Sequence, residues 1–167
     1  MKQKYIFIGV ALLISLFIYL FYRTEKTVAT NIFIQIISYD SFLALKASIV
    51  NALPLNNIVV YSLPEGLWVF CITLTSKSYF INIRNWHFDC VFIPLIFCFT
   101  LEIFQFFHIT NGRFDFMDIW FCIVFWILGI LILRDKVEKE NILAWSNSKP
   151  FVCLASYGIV YLAHVLK

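Results

Sequence analysis

Apolar residues run almost unbroken from Tyr5 to Tyr22 ("YIFIGVALLISLFIYLFY"), and four further apolar runs cover residues 58–75, 90–108, 116–133 and 151–166. A helix of about 18 residues rises about 27 Å, close to the ~30 Å hydrocarbon core of a bilayer. The pattern predicts an all-α fold, a polytopic transmembrane helix bundle of about five spans forming a single domain over residues 1–167. The fifth run is the shortest; about 16 residues of helix reach only about 24 Å. "MKQK" ahead of so long an apolar run, with no small-x-small cleavage signal after it, reads as an uncleaved anchor helix.

Between the first two spans, Asp40 is placed to cap a short helix, "SFLALKASIVNAL", in which Phe42, Leu45, Ile49 and Leu53 recur at helical spacing. This amphipathic or surface helix would lie along the membrane or pack over the bundle. Residues 76–89 read as a polar-aromatic loop that sets Trp86 and His87 at the membrane interface. Residues 134–150 are the one strongly solvated connection.

Composition supports the membrane reading. The chain is 62% hydrophobic and 14% charged, whereas soluble domains are about half apolar and a quarter charged. The net charge of +3 is dispersed, so a nucleic-acid partner is excluded. Cys71, Cys90, Cys98, Cys122 and Cys153 form no CxxC pair and fall in or at the ends of the apolar runs, where Cys acts as a small apolar residue. Neither a metal nor a cofactor is expected. Across five alternating spans, Lys2, Lys4, Lys77, Arg84, Arg134, Lys136, Lys139 and Lys149 face one side; Arg23, Lys26, Lys46, Arg113 and Lys167 face the other. The bias puts the N-terminus in the cytoplasm.

Against this background "EIFQFFHITNGRFDFMD" stands out. Residues 109–114 are too few to do anything but join two antiparallel helices by a tight turn, for which Asn111 and Gly112 are suited. Glu102 and Gln105 then share a face near the end of one helix, and Asp115 and Asp118 a face at the start of the next. If residues 76–89 simply return the chain, Glu65 in "SLPEGLW" reaches the same surface. Pro64 either kinks its helix or marks a start near Ser62. Helix capping explains Asp115 and Asp118 equally well, and would explain Glu65 beside Pro64. Capping fails for Glu102, which lies where the helix dipole disfavours an anion. Arg113 is the expected counter-charge for it. His108 and His164 read as helix-end or interfacial residues, and no nucleophile elbow is present.

The order Glu102, Gln105, then "GRFDFMD" with Arg113, Asp115 and Asp118, followed by an apolar helix with Gly129, resembles the VanZ-like family of small bacterial integral membrane proteins. The match covers residues 101–129, and more loosely the chain from Leu63. Cys122 and Phe125 stand where members commonly carry Asn and Gly, and "SLPEGLW" lacks a typical His, which suggests a divergent member.

The resemblance implies a multi-pass protein of the bacterial cytoplasmic (inner) membrane, with an effect on cell-envelope or teicoplanin-type glycopeptide resistance. The expected site is an extracytoplasmic pocket of Glu65, Glu102, Gln105, Arg113, Asp115 and Asp118, binding a membrane lipid or envelope-precursor headgroup without catalysis. A membrane-embedded enzyme acting on a lipid phosphate, with Glu102 or Asp118 as general base, is the alternative. A small transporter, which would have to oligomerise, and a scaffold subunit stay open beside it.

Overall fold

The computed structural model describes residues 2–23, 28–83, 86–110, 113–132, 139–142, 151, 153–155 and 157. Its helices are α1 (Lys2–Phe21), α2 (Val28–Ile37), α3 (Tyr39–Ala52), α4 (Asn57–Ser76), α5 (Ile93–Phe106) and α6 (Phe116–Leu131), with a 3-10 turn at Cys90–Phe92. The strands are β1 (Tyr79–Ile83), β2 (Trp86–Asp89) and β3 (Glu140–Asn141).

Helix α4 is the centre of the molecule. Asn56 starts it, its side chain accepting from the Ile58 N–H, and the helix continues through the buried Pro64. The chain therefore takes the kinked or continuous option at Pro64 rather than a start near Ser62. Proline removes the N–H that would bind the Val60 carbonyl and weakens the next bond. The Tyr61 carbonyl, one residue along, accepts from Arg23 Nη2 at 3.0 Å.

On one side α4 buries Leu67, Phe70, Cys71 and Leu74 against Ala11 of α1 and Phe125 of α6. The α4–α6 approach depends on small residues. A Cβ on Gly66 would come within 2.5 Å of the Phe125 ring, and one on Gly129 within 2.9 Å of Thr73. Close approach of this kind drives helix association where the surroundings are as apolar as the side chains. Lys77 Nζ closes the far end, donating to the carbonyls of Ile130 (2.7 Å) and Ile132 (3.2 Å) at the C-terminus of α6.

The connection between α4 and α5 is a hairpin rather than the loop that its polar-aromatic composition suggests. Strand β1 pairs antiparallel with β2, Phe80 opposite Asp89 and Ile83 opposite Trp86, and parallel with β3, in the order β2-β1-β3. "YFINI" is short and lacks clean alternation, which hides a strand from pattern reading. Trp86 and His87 are both exposed there.

The α1–α4 connection also differs. It holds two helices, bent by 114° about Ser38, whose φ is 72°. Ser38 occupies the N-cap of α3, and Asp40 falls in the first turn instead of capping it. Phe42 and Ile49 pack against Leu20, Phe21 and Phe33, whereas Leu45 and Leu53 are exposed.

Among the described residues, Gln3–Phe21 and Asn57–Ser76 are long and apolar enough to cross a membrane, and a third span results if the bent pair Thr30–Ile37 and Tyr39–Ala52 counts as one. Many apolar side chains of α1 lie exposed, Leu13 at 66% and Ile6 at 63%, a surface water would penalise and lipid would not. The described helices thus give two or three candidate spans, with α5 and α6 as shorter apolar helices. The third run loses its first residues to the 3-10 turn and its last to a helix-ending turn at His108, leaving 14 residues in α5. The fourth becomes the 16-residue α6. Eleven of the sixteen residues of the fifth run lie outside the described residues.

Candidate functional site

The site forms where the C-terminal end of α5 meets the N-terminal end of α6 and the first half of α4. Helix α5 ends in a Schellman turn: the His108 N–H donates to the Gln105 carbonyl at 3.0 Å and the Ile109 N–H to the Phe104 carbonyl at 2.9 Å. His108 takes the left-handed conformation (φ 57°) that glycine normally supplies there. This is the helix-end role its position suggests, and its ring Nδ1 lies 3.2 Å from the Gln105 carbonyl.

Glu102, one turn before that end, is only 2% exposed. Its Oε2 accepts from the Asp115 backbone N–H at 3.2 Å. Asp115 is itself the N-cap of α6, its Oδ1 accepting from the Met117 N–H at 2.9 Å. The capping role read for Asp115 is therefore present, and Glu102 ties one helix end to the next helix start. Glu65 needs a different account. It lies nine positions beyond the N-cap Asn56 (65 − 56), so a helix-start role beside Pro64 does not apply.

One carboxylate oxygen from each of Glu65, Glu102 and Asp118 lies within 4.8 Å of the other two. At an effective dielectric of about 20, two like charges at that spacing repel by roughly 3 kcal/mol. The positive end of the α6 dipole offsets part of this. Three carboxylates so placed are relieved by positive charge or by a shared proton, and they supply the hard oxygen donors of a cation site. The sequence expectation of no metal weighed cysteine and histidine; these three carboxylates come from three separate helices.

Glu65, Glu102 and Gln105 form the polar part of a cavity whose walls are otherwise largely apolar, including Trp68, Phe97 and Leu101. Its volume of ≈ 30 Å³ accommodates about two water molecules. Gln105 is only 9% exposed, lines the cavity and makes no side-chain hydrogen bond to another described residue. Oδ1 of Asp118 is enclosed without a partner.

Five of the six residues read from the sequence thus gather at one end of the bundle: Glu65, Glu102 and Asp118 by their carboxylates, Gln105 through the cavity and Asp115 through its backbone. Arg113 stands apart: it is exposed, and among the described residues no ion pair joins it to Glu102. Among the described residues, Arg23 is a cation that favours the ionised Asp118 carboxylate, without an ion pair between the two. It sits just beyond α1, with Tyr19 and Tyr61 ring centroids at 4.2 and 5.5 Å. Its signal in the sequence is the "YLFYR" ending of the first apolar run, an Arg among aromatic rings that can hold it. Ser62 beside Asp118 was also passed over, as one of many hydroxyls without a partner pattern.

No protein-family model, curated protein or solved structure matches the chain.

Proposed function

We propose that this chain is a VanZ-like protein of the bacterial inner membrane whose pocket between α4, α5 and α6 binds the headgroup of a membrane lipid or envelope precursor, and that this occupancy alters susceptibility to teicoplanin-type glycopeptides. The observation that carries the reading is the convergence of Glu65, Glu102 and Asp118 from three helices at a largely apolar-walled cavity. Capping and helix-dipole roles do not require that convergence. Apolar walls with polar groups concentrated at one end suit an amphiphile, and the small volume admits the tip of a headgroup rather than a whole sugar. Exposed Phe106, Phe107, Phe116 and Trp120 around the same end suit a membrane–water boundary. The Lys and Arg distribution supports an extracytoplasmic pocket and a cytoplasmic N-terminus.

The test is glycopeptide sensitivity and bound lipid in cells carrying Glu65→Gln, Glu102→Gln or Arg113→Ala. Loss of both effects in the two Glu variants supports the reading; unchanged sensitivity and unchanged lipid in well-folded variants sink it. A reporter active only outside the cytoplasm, fused within residues 109–114, should be active.

The juxtaposition of buried Glu102 with Asp118 also favours a second reading, in which one of the pair acts as general base on a lipid-phosphate substrate. Turnover of such a substrate by purified protein separates catalysis from binding.

A further inference from the structure

We infer that Glu65, Glu102 and Asp118, with the Gln105 amide oxygen, form a binding site for one hard divalent cation of the calcium class. The inference rests on the pocket reading and specifies what stands at its polar end. Two independent observations converge. The first is the carboxylate set, one oxygen from each residue within 4.8 Å of the others. Oxygens on opposite sides of Ca²⁺ are about 4.6–5.2 Å apart, and on Mg²⁺ about 4.0–4.2 Å. Three oxygens all within 4.8 Å of one another fall inside that reach, and a carboxylate-plus-carbonyl donor set is the calcium habit, whereas Mg²⁺ keeps several waters and takes one or two carboxylates. The second is Gln105. A carboxamide nine-tenths buried, lining the same cavity and making no hydrogen bond to another described residue, is free to offer its oxygen to a ligand there. A neutral carbonyl oxygen is a common calcium ligand, and coordination would satisfy it.

The donor set excludes softer choices. Cys98 and Cys122 also line the cavity, but among the described residues no histidine does, and three carboxylates with an amide oxygen select hard ions. The remaining coordination positions would open to the cavity, which has room for about two waters. A dication here also reverses the sign of the pocket's mouth. Three carboxylates alone repel a phosphate; a bound dication admits a phosphate-bearing headgroup.

The experiment is calorimetric titration of the full chain, purified in detergent and stripped with chelator, with Ca²⁺, Mg²⁺ and Zn²⁺. One saturable Ca²⁺ site is expected, weakened by about tenfold or more in Glu65→Gln and Asp118→Asn and by about tenfold in Gln105→Leu. Gln105→Glu, which adds a fourth carboxylate, should tighten Ca²⁺; that variant decides the matter where a carboxylate variant fails to fold. Absence of saturable Ca²⁺ binding at millimolar concentration overturns the inference. So does unchanged affinity in variants that elute and melt like the wild type in chelator, or binding of Zn²⁺ alone that depends on Cys98 and Cys122. Lipid retention is measured in the same samples. Lipid kept in chelator without any Ca²⁺ binding refutes the cation and leaves the headgroup reading standing. Ca²⁺ binding without lipid supports the cation and refutes the headgroup.

Discussion

The Glu102 carboxylate receives the backbone N–H of Asp115 at 3.2 Å, thirteen positions along the chain. A buried acid here serves as a clamp between two helix ends as well as a wall of the pocket. Glu102→Ala leaves that N–H unpaired and should destabilise the protein by about 1–3 kcal/mol. Glu102→Gln keeps an acceptor oxygen and should lose less than half as much, while losing the charge on which ligand binding depends. Chemical denaturation of both variants in detergent, beside a lipid-binding measurement, separates the two roles.

Asp115 contributes through its side chain in a different way, capping α6 through the Met117 N–H at 2.9 Å. Asp115→Ala should cost about 0.5–2 kcal/mol, and Asp115→Ser or Asp115→Asn should recover most of it. If the carboxylate at 115 acted mainly as a ligand, Asn and Ser would restore stability but not binding, a split the same two assays would reveal.

Gly66 and Phe125 set how closely α4 and α6 approach. Since an added Cβ would meet the ring at 2.5 Å, Gly66→Ala should destabilise by about 1–3 kcal/mol. Phe125→Leu in the same chain should relieve part of that cost, giving a non-additive double-mutant cycle. Strict additivity in thermal melting would mean that the two residues do not touch.

His108 holds a left-handed conformation that glycine adopts without strain. His108→Gly should therefore leave stability unchanged or raise it by up to about 1 kcal/mol. A marked fall in melting temperature, or a loss of ligand binding with stability intact, would assign the imidazole a part beyond ending α5.

Much of the site was legible because short connections constrain geometry. Seven residues between two apolar runs force an antiparallel pair, and spacings of three put Glu102 with Gln105 and Asp115 with Asp118. Glu65 came within reach by the simple assumption that the chain returns after α4, which the β1–β2 hairpin fulfils. Other features depend on contacts that local pattern does not encode. Arg23 comes to the start of α4, donating to the Tyr61 carbonyl, because α1 packs antiparallel to α4, whereas Arg113, nearer in sequence, is exposed. The strand "YFINI" gains its structure from partners at Trp86–Asp89 and Glu140–Asn141, the second far along the chain. The bend at Ser38 needs a positive φ at a residue type that seldom adopts one, so hydropathy alone suggests no break between α2 and α3. Helix ends are hidden in the same way: the third apolar run continues through the 3-10 segment and the turn that bound α5.

The claim that the three carboxylates form a ligand site is tested most directly by native mass spectrometry of the full chain released gently from its membrane, comparing the wild type with Glu65→Gln and Asp118→Asn. The account predicts a discrete lipid or envelope-precursor adduct on the wild type that is lost from both variants while they remain folded. Identical adduct spectra for all three proteins would contradict it.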